Sequence, residues 1–369
     1  MENTACIKKI YLVGGAVRDK LLGLVVQDKD YVAVGYTQND FSHLKKVGKN
    51  FPVFLLSDSS QIALARRESK VSQGYNGFSY EVENVSLKED LKRRDLTINA
   101  MAFDEEKGEI IDYFHGREDL ENKLLRHVSL AFCEDPLRVL RIARFRARLG
   151  EDWQITKETK DLIFSMKKDL KFLEKNRIYK EILEVLKLQR SDLFFRTLFD
   201  LAVLDAIFPL IYSLNFFNYK EQNAFIFAMN LLKKVGICEN ILKFSILYLN
   251  LIKEKNQKTM ELDIQIPKKI LKNIEILIIN HKKNPKSPQD FLEYLEVYFD
   301  DESLLLEQKS LNLLDETSNL DFKLLEKMLI EVKKVSPRKW IENQKTSPKG
   351  SAIKEYIHKE RLAKISAFI

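Results

Sequence analysis

Cysteine is scarce in this 369-residue chain. Cys6, Cys133 and Cys238 are odd in number and far apart, which excludes a disulfide frame and fits reduced thiols in a cytoplasmic protein. No apolar run is long enough to span a bilayer, so no membrane partner is expected. A folded-looking strand begins by Ile10, and no signal peptide is expected before it. Histidine is also rare: His43, His115, His127, His281 and His358 are not paired at metal-ligand spacing. Glycine is withheld unevenly. It crowds the stretch from Gly14 to Gly150, and beyond that only Gly236 and Gly350 occur. The first part therefore has the turns of a mixed α/β domain, and the rest reads as packed helices.

What remains is a globular composition, 45% hydrophobic and 31% charged, with a net charge of +7. That charge permits a polyanionic partner, although a Lys-rich composition alone accounts for it equally well.

Residues 10 to 34 organise the chain. Ile10-Tyr11-Leu12-Val13 reads as a buried strand, Gly14-Gly15 as a tight loop, and Ala16 to Leu22 as a short helix stopped by Gly23. A second strand is expected to carry Asp28 and Asp30, whose side chains share a face because strand residues alternate. A glycine loop at a helix start suits phosphates, Arg18 adds a fork of donors, and paired carboxylates suit Mg²⁺.

Further strands are expected at 50–56 and 61–66, then a polar mobile loop from Arg67 to Phe78. Ser86 and Glu89 form a capping box that starts a helix through Lys92-Arg93-Arg94. The runs 96–103 and 109–114 read as a hairpin. Asp135 as N-cap and Pro136 at the first position open a helix that stops near Gly150. On it Arg138, Arg141, Arg144 and Arg148 share one side, and Val139, Leu140, Ile142 and Ala143 another. Asn176 is expected to cap the next helix, and Ser191 or Asp192 the one after. Helices are then expected within 218–254, 264–279, 289–299, 319–335 and 351–365. No aromatic RNA-stacking motif stands out.

Three motifs in order carry a family resemblance: Leu12 to Gly23 followed by Asp28-Lys29-Asp30; Arg93-Arg94-Asp95-Leu96-Thr97-Ile98-Asn99-Ala100; and Glu134-Asp135-Pro136-Leu137-Arg138-Val139-Leu140-Arg141. Together they resemble the bacterial class II tRNA nucleotidyltransferases, the CCA-adding enzymes, which are akin to bacterial poly(A) polymerases. The wording is most like the gamma-proteobacterial type. The resemblance implies an α+β chain: a nucleotidyltransferase head with a mixed sheet (1–128), a helical neck and start of body (129–215), and a helical body and tail (216–369). It implies addition of CCA to the 3′ end of tRNA from CTP and ATP by a cytoplasmic monomer that holds the acceptor arm. It carries Asp28 and Asp30 over as catalytic Mg²⁺ ligands, and Gly15 and Arg18 as triphosphate contacts. Arg94, Asp135, Arg138, Arg141 and Arg144 become nucleotide contacts, with Asp95 and Asn99 at the ribose. Many close relatives add a His…His-Asp hydrolase module; no histidine here is followed by Asp, so that side activity is not expected.

Glu68 is a candidate third metal ligand, or else a partner for a nearby arginine. Asp95 has the alternative of an ion pair with Arg94. The motifs also fit a poly(A) polymerase or an enzyme limited to CC or A addition, but no long basic C-terminal tract is present. An inactive RNA-binding protein of the same fold is a further alternative, against which the intact Asp28, Asp30, Asp135 and Arg138 argue.

Overall fold

The computed structural model describes residues 8–369 apart from 48–50, 59, 71–77, 217, 237–239, 250, 252–262, 282, 317–319 and 345. Cys6 and Cys238 lie outside the described residues. Contacts divide the chain into two units: residues 1–181 with 193–207, and residues 182–192 with 208–369.

The first unit begins with strand β1 (Lys9–Val13), helix α1 (Gly15–Leu21) and strand β2 (Asp30–Val34). Strands β3 (Lys45–Val47), β4 (Val53–Leu55) and β5 (Gln61–Leu64) follow, then β6 (Arg67–Lys70) and β7 (Phe78–Glu81). Helix α2 (Leu87–Lys92) leads to β8 (Met101–Asp104), β9 (Glu109–Asp112) and α3 (Gly116–Glu121). The main sheet has the order β3-β4-β5-β2-β1-β8-β9, with only β2 and β5 parallel. Neighbours along β2 point to opposite faces, so Val32 joins a core with Val85, Leu87 and Leu91, while Ala33 joins one with Phe41, Phe54 and Ile62. Both faces of the sheet are therefore covered, and its inner strands are apolar in their middles.

Helix α4 (Leu137–Leu149) buries Val139, Leu140, Ile142, Ala143, Phe145 and Ala147, the apolar stripe that its sequence period requires. Helices α5 (Lys157–Ser165), α6 (Lys167–Leu170), α7 (Lys175–Leu186), α8 (Ser191–Asp200) and α9 (Leu204–Ile207) follow. The last residues of α7 and the first two of α8 belong to the second unit. That unit is otherwise α10 (Pro209–Ser213), α11 (Ala224–Val235), α12 (Asn240–Tyr248), α13 (Lys268–His281), α14 (Pro288–Glu296), α15 (Ser303–Asp315), α16 (Phe322–Lys333), α17 (Arg338–Glu342) and α18 (Gly350–Ser366). Tyr294, Tyr298, Leu295, Met328 and Ile365 share one of its cores. No helix among the described residues is long and apolar enough to cross a membrane.

Several sequence expectations are corrected. Strand β2 starts at Asp30, so Asp28 lies in the extended segment before it. The ends of the expected 67–78 loop form a hairpin, with Arg67 opposite Glu81 and Lys70 opposite Phe78; 71–77 lie outside the described residues. The run 96–103 is a strand only from Met101, because Thr97–Asn99 close a 3-10 turn. Helix α2 ends at Lys92, before the two arginines. Helix α7 starts at Lys175, so Asn176 lies inside it rather than capping it. A two-residue hairpin at 218–223 and the helices α15 and α17 have no counterpart in the sequence reading.

Candidate active site

The glycine loop sits where the sequence puts it. Gly14 has φ +72°, a left-handed conformation, and its missing side chain leaves room for the Arg94 guanidinium, which would stand 2.9 Å from a Cβ. Helix α1 ends on Gly23 at φ +68°, with Gly23 N–H donating to Lys20 O and Leu24 N–H to Asp19 O. That short, closed helix holds Arg18 and Asp19 in the interior.

One cleft of about 1210 Å³ brings the predicted residues together. Gly14, Gly15, Arg18, Asp28, Asp30, Arg94, Asp95, Asn99, Asp135, Arg138, Arg141 and Arg144 all line it, as does Arg148. The four-arginine stripe of α4 therefore faces the cleft as a row, while Arg146, off that stripe, pairs with Thr197 and Asp200.

Asp28 and Asp30 are open to the cleft. Desolvation by the surrounding walls raises the pKa of Asp30; Arg94 offsets part of this, and the charge of Asp28 adds to it. Two hard-oxygen donors that repel each other at a cleft mouth fit a divalent cation such as Mg²⁺. Among the described residues no group of three His, Cys, Asp or Glu stands together as a complete ligand set. Glu68 lies on β6 opposite Tyr80; its side chain is outside the described residues.

Buried ion pairs brace the walls. Arg18 donates from Nε and NH2 to Asp19 Oδ1 (2.9 and 2.7 Å) and from NH1 to Asn99 Oδ1 (2.6 Å). Asn99 in turn donates to Asp95 Oδ1 at 3.0 Å. Asp95 also accepts from its neighbour Leu96 N and from Arg141 at 2.8 Å. Burial alone would raise the Asp95 pKa, but the Arg141 charge and these hydrogen bonds hold it well below the carboxylate range. Asp95 thus pairs with Arg141 across the fold, not with adjacent Arg94. Arg94 reaches Asp90 at 3.3 Å, and Asp90 also holds Arg93.

The structure adds two residues that the sequence reading missed. Arg177 forks onto Asp135, with NH1 to Oδ1 at 3.1 Å and NH2 to Oδ2 at 2.8 Å. Glu181 holds Arg144 Nε at 2.5 Å. Both lie on α7, a turn apart, and only the helical spacing of an Arg and a Glu could have hinted at a shared face. Helix α4 starts at Leu137, not Pro136, yet the Asp135 carboxylate still caps it by accepting Leu137 N–H at 3.2 Å. Arg138 donates to Ala131 O and Arg93 O, both at 2.7 Å.

Residues 10–126 match the poly A polymerase head domain, and residues 152–214 match the region described as "Probable RNA and SrmB- binding site of polymerase A". Among solved structures, a tRNA-processing enzyme complex is 27% identical over 97% of this chain and 97% of its own, with TM-score 0.62. The Bacillus stearothermophilus CCA-adding enzyme in complex with CTP is 21% identical over 98% and 89%, with TM-score 0.63. The Thermotoga maritima CCA-adding enzyme complexed with tRNA is 21% identical over 97% and 87%, also with TM-score 0.63. Their mixed-sheet head followed by helices is the fold described above. The chain thus combines a poly A polymerase-type head with the overall fold of the CCA-adding enzymes.

Proposed function

We propose that the protein adds C, C and A to the 3′ end of tRNA from CTP and ATP without a nucleic-acid template. One observation carries this reading: a single cleft joins a glycine loop, a carboxylate pair and a row of arginines that starts beside Asp135. The RNA 3′-hydroxyl attacks the α-phosphate and pyrophosphate leaves. A divalent cation held by Asp28 and Asp30 supplies Lewis-acid activation and charge neutralisation to such a transfer. The chain's own groups do the positioning. Gly14 and Gly15 let the backbone approach the phosphates, and Arg18 with the α4 arginines supplies positive charge for the triphosphate.

Base choice follows from the Asp135 bonding. A carboxylate has about four acceptor positions. Leu137 N–H and the Arg177 fork occupy three of them, two on Oδ1 and one on Oδ2. The remaining position on Oδ2 suits an exocyclic amino group, which cytosine and adenine carry and uracil lacks. Arg138, fixed by two carbonyls, lies three residues on to donate to the ring nitrogen. Asn99 and Asp95 lie beside the sugar, with Asp95 holding Arg141 as well. The head (1–128) is the catalytic part, the neck (129–215) selects the nucleotide, and the helical remainder (216–369) holds the acceptor arm.

The test is direct. The protein is incubated with Mg²⁺, CTP and ATP and with tRNAs ending at the discriminator base, after C or after CC, and the 3′ ends are sequenced. Completion of each to CCA is expected; long A tails or no extension would overturn the assignment.

A further inference from the structure

The cleft is larger than one nucleotide needs. A pocket for a single small ligand has roughly 300–1,000 Å³, against about 1210 Å³ here. The surplus includes a wall that the nucleotide reading leaves unused. Phe51, Arg66 and Tyr80 line the same cleft. The Arg66 guanidinium lies over the Phe51 ring, 3.9 Å from its centroid, and Tyr80 meets Phe51 edge-on at 5.0 Å and 87°. Tyr80 is 41% exposed, so its ring is reachable from the cleft.

Strand register places this patch. Asp30 pairs with Gln61, β5 runs from there to Leu64, and Arg66 stands two residues beyond its end. At 3.2–3.4 Å per residue those five steps of chain reach at most on the order of 16 Å. A stacked single strand advances about 3.4 Å per nucleotide, so the patch stands a few nucleotides from the carboxylate pair. Asp90 links the two places, accepting from Arg66 N–H at 3.2 Å and from Arg94, whose charge reaches Asp30. The base-selecting pair, Asp135 and Arg138, lies instead at the start of α4.

An aromatic and guanidinium patch in the same cleft as a row of arginines is the chemistry that holds single-stranded nucleic acid, since every base has a face to stack. We infer that Phe51, Arg66 and Tyr80 form a stacking site for a nucleobase of the single-stranded RNA 3′ end, upstream of the reacting hydroxyl. This rests on the nucleotidyltransferase reading for its choice of ligand, but stacking is measurable without turnover.

The experiment uses the full chain and tRNAs with 2-aminopurine at each of the last four positions in turn. Stacking on the patch is expected to quench one probe on binding. Tyr80→Ala should relieve that quenching and weaken the binding of that RNA end about tenfold, the scale of one lost base stack. Tyr80→Phe should restore both, which a merely structural role for the hydroxyl would not predict. Quenching unchanged by Tyr80→Ala would overturn the site, even if CCA addition proceeds. A raised KM for CTP and ATP with unchanged RNA quenching would assign the patch to the incoming base and also overturn it. Quenching that depends on Tyr80 without any extension would leave the stacking site standing and remove the proposed activity.

Discussion

The two units bury charge for different ends. In the first, Arg18, Asp19, Asp90, Asp95 and Arg141 form pairs along the wall of an open cleft, so each desolvated carboxylate also aims an arginine or its neighbour. In the second, the comparable network lies mostly in the helical interior, and only its Asp315 end, with Lys220, lines a smaller cleft of about 480 Å³. His281, barely accessible, bonds Asp315 at 2.6 Å and Asn312 at 2.9 Å; Tyr219 also reaches Asp315, at 2.7 Å. Gln308 on α15 extends the chain of bonds from Asn312 to Tyr298, just beyond the end of α14. Lys243 similarly spends its ammonium on the carbonyls of Leu186 and Leu188. Burying an ion costs several kcal/mol, which good geometry offsets only in part. One unit uses that expenditure to preorganise a site, the other to fix helix register.

The largest effect expected on this contrast comes from Asp30→Ala. Loss of a cation ligand at the reacting phosphate should lower transfer by about a thousandfold or more, several kcal/mol of barrier. Because the fold raises the Asp30 pKa, its charged form is disfavoured relative to the unfolded chain above the ordinary carboxylate pKa. Removing it should therefore leave the neutral-pH melting midpoint unchanged or higher. Retained turnover would reject the metal role, and a large drop in midpoint would show that Asp30 is structural.

Asp315→Asn should do the reverse. It leaves His281 and Lys220 without their carboxylate inside a helical bundle and should cost about 3–5 kcal/mol of stability. Turnover per folded molecule, measured well below the midpoint, should stay at the wild-type value. Arg138→Ala is smaller again in rate and sharper in kind. It should reduce the preference for CTP over UTP by about ten- to hundredfold while changing tRNA affinity less than threefold. Unaltered preference would remove Arg138 from base selection.

Much of the first unit is legible in the sequence because its function sits in local motifs. The Gly14 turn and the arginine stripe need only local turn chemistry and the helix period to be seen, and the Asp28–Asp30 pair reaches the cleft although Asp28 precedes the strand. What escaped is what the chain assembles from distant parts. Arg177 reaches Asp135 across 42 residues and Asp95 finds Arg141 across 46, and no spacing rule links them. The Phe51–Arg66–Tyr80 patch escaped for the same reason: its residues come from three separate strands or their flanks. The expected loop after Arg67 hid a hairpin because β6, Arg67–Lys70, is entirely polar, and backbone pairing there does not depend on an apolar pattern. In the second unit α15 was missed although it buries Leu304, Leu305 and Leu311, because its inward face also carries Gln308, Asn312 and Asp315.

The smallest expected effect tests whether exposed pairs in the first unit matter as the buried ones do. Glu89 closes the capping box of α2, accepting from Ser86 N–H at 2.9 Å, and also takes Arg67 at 2.5 Å. The Ser86 backbone bond first, then Arg67, lower its pKa to about 2. A depressed carboxyl contributes stability that is complete above its unfolded pKa, near 4.3, and is lost as pH falls toward the folded value. Both partners are more than a third exposed, so solvent screening limits the ion-pair contribution to under about 1 kcal/mol. Glu89→Gln keeps the shape and removes the charge. Its melting midpoint should lie slightly below wild type at pH 7, and the gap should close between about pH 4 and pH 2. A gap that persists unchanged at pH 2 would mean that the cap geometry, not the charge, carries the contribution. The acid-sensitive stability of this unit would then reside in its buried pairs, Asp90 with Arg93 and Asp95 with Arg141, whose carboxyls are also held below their ordinary range.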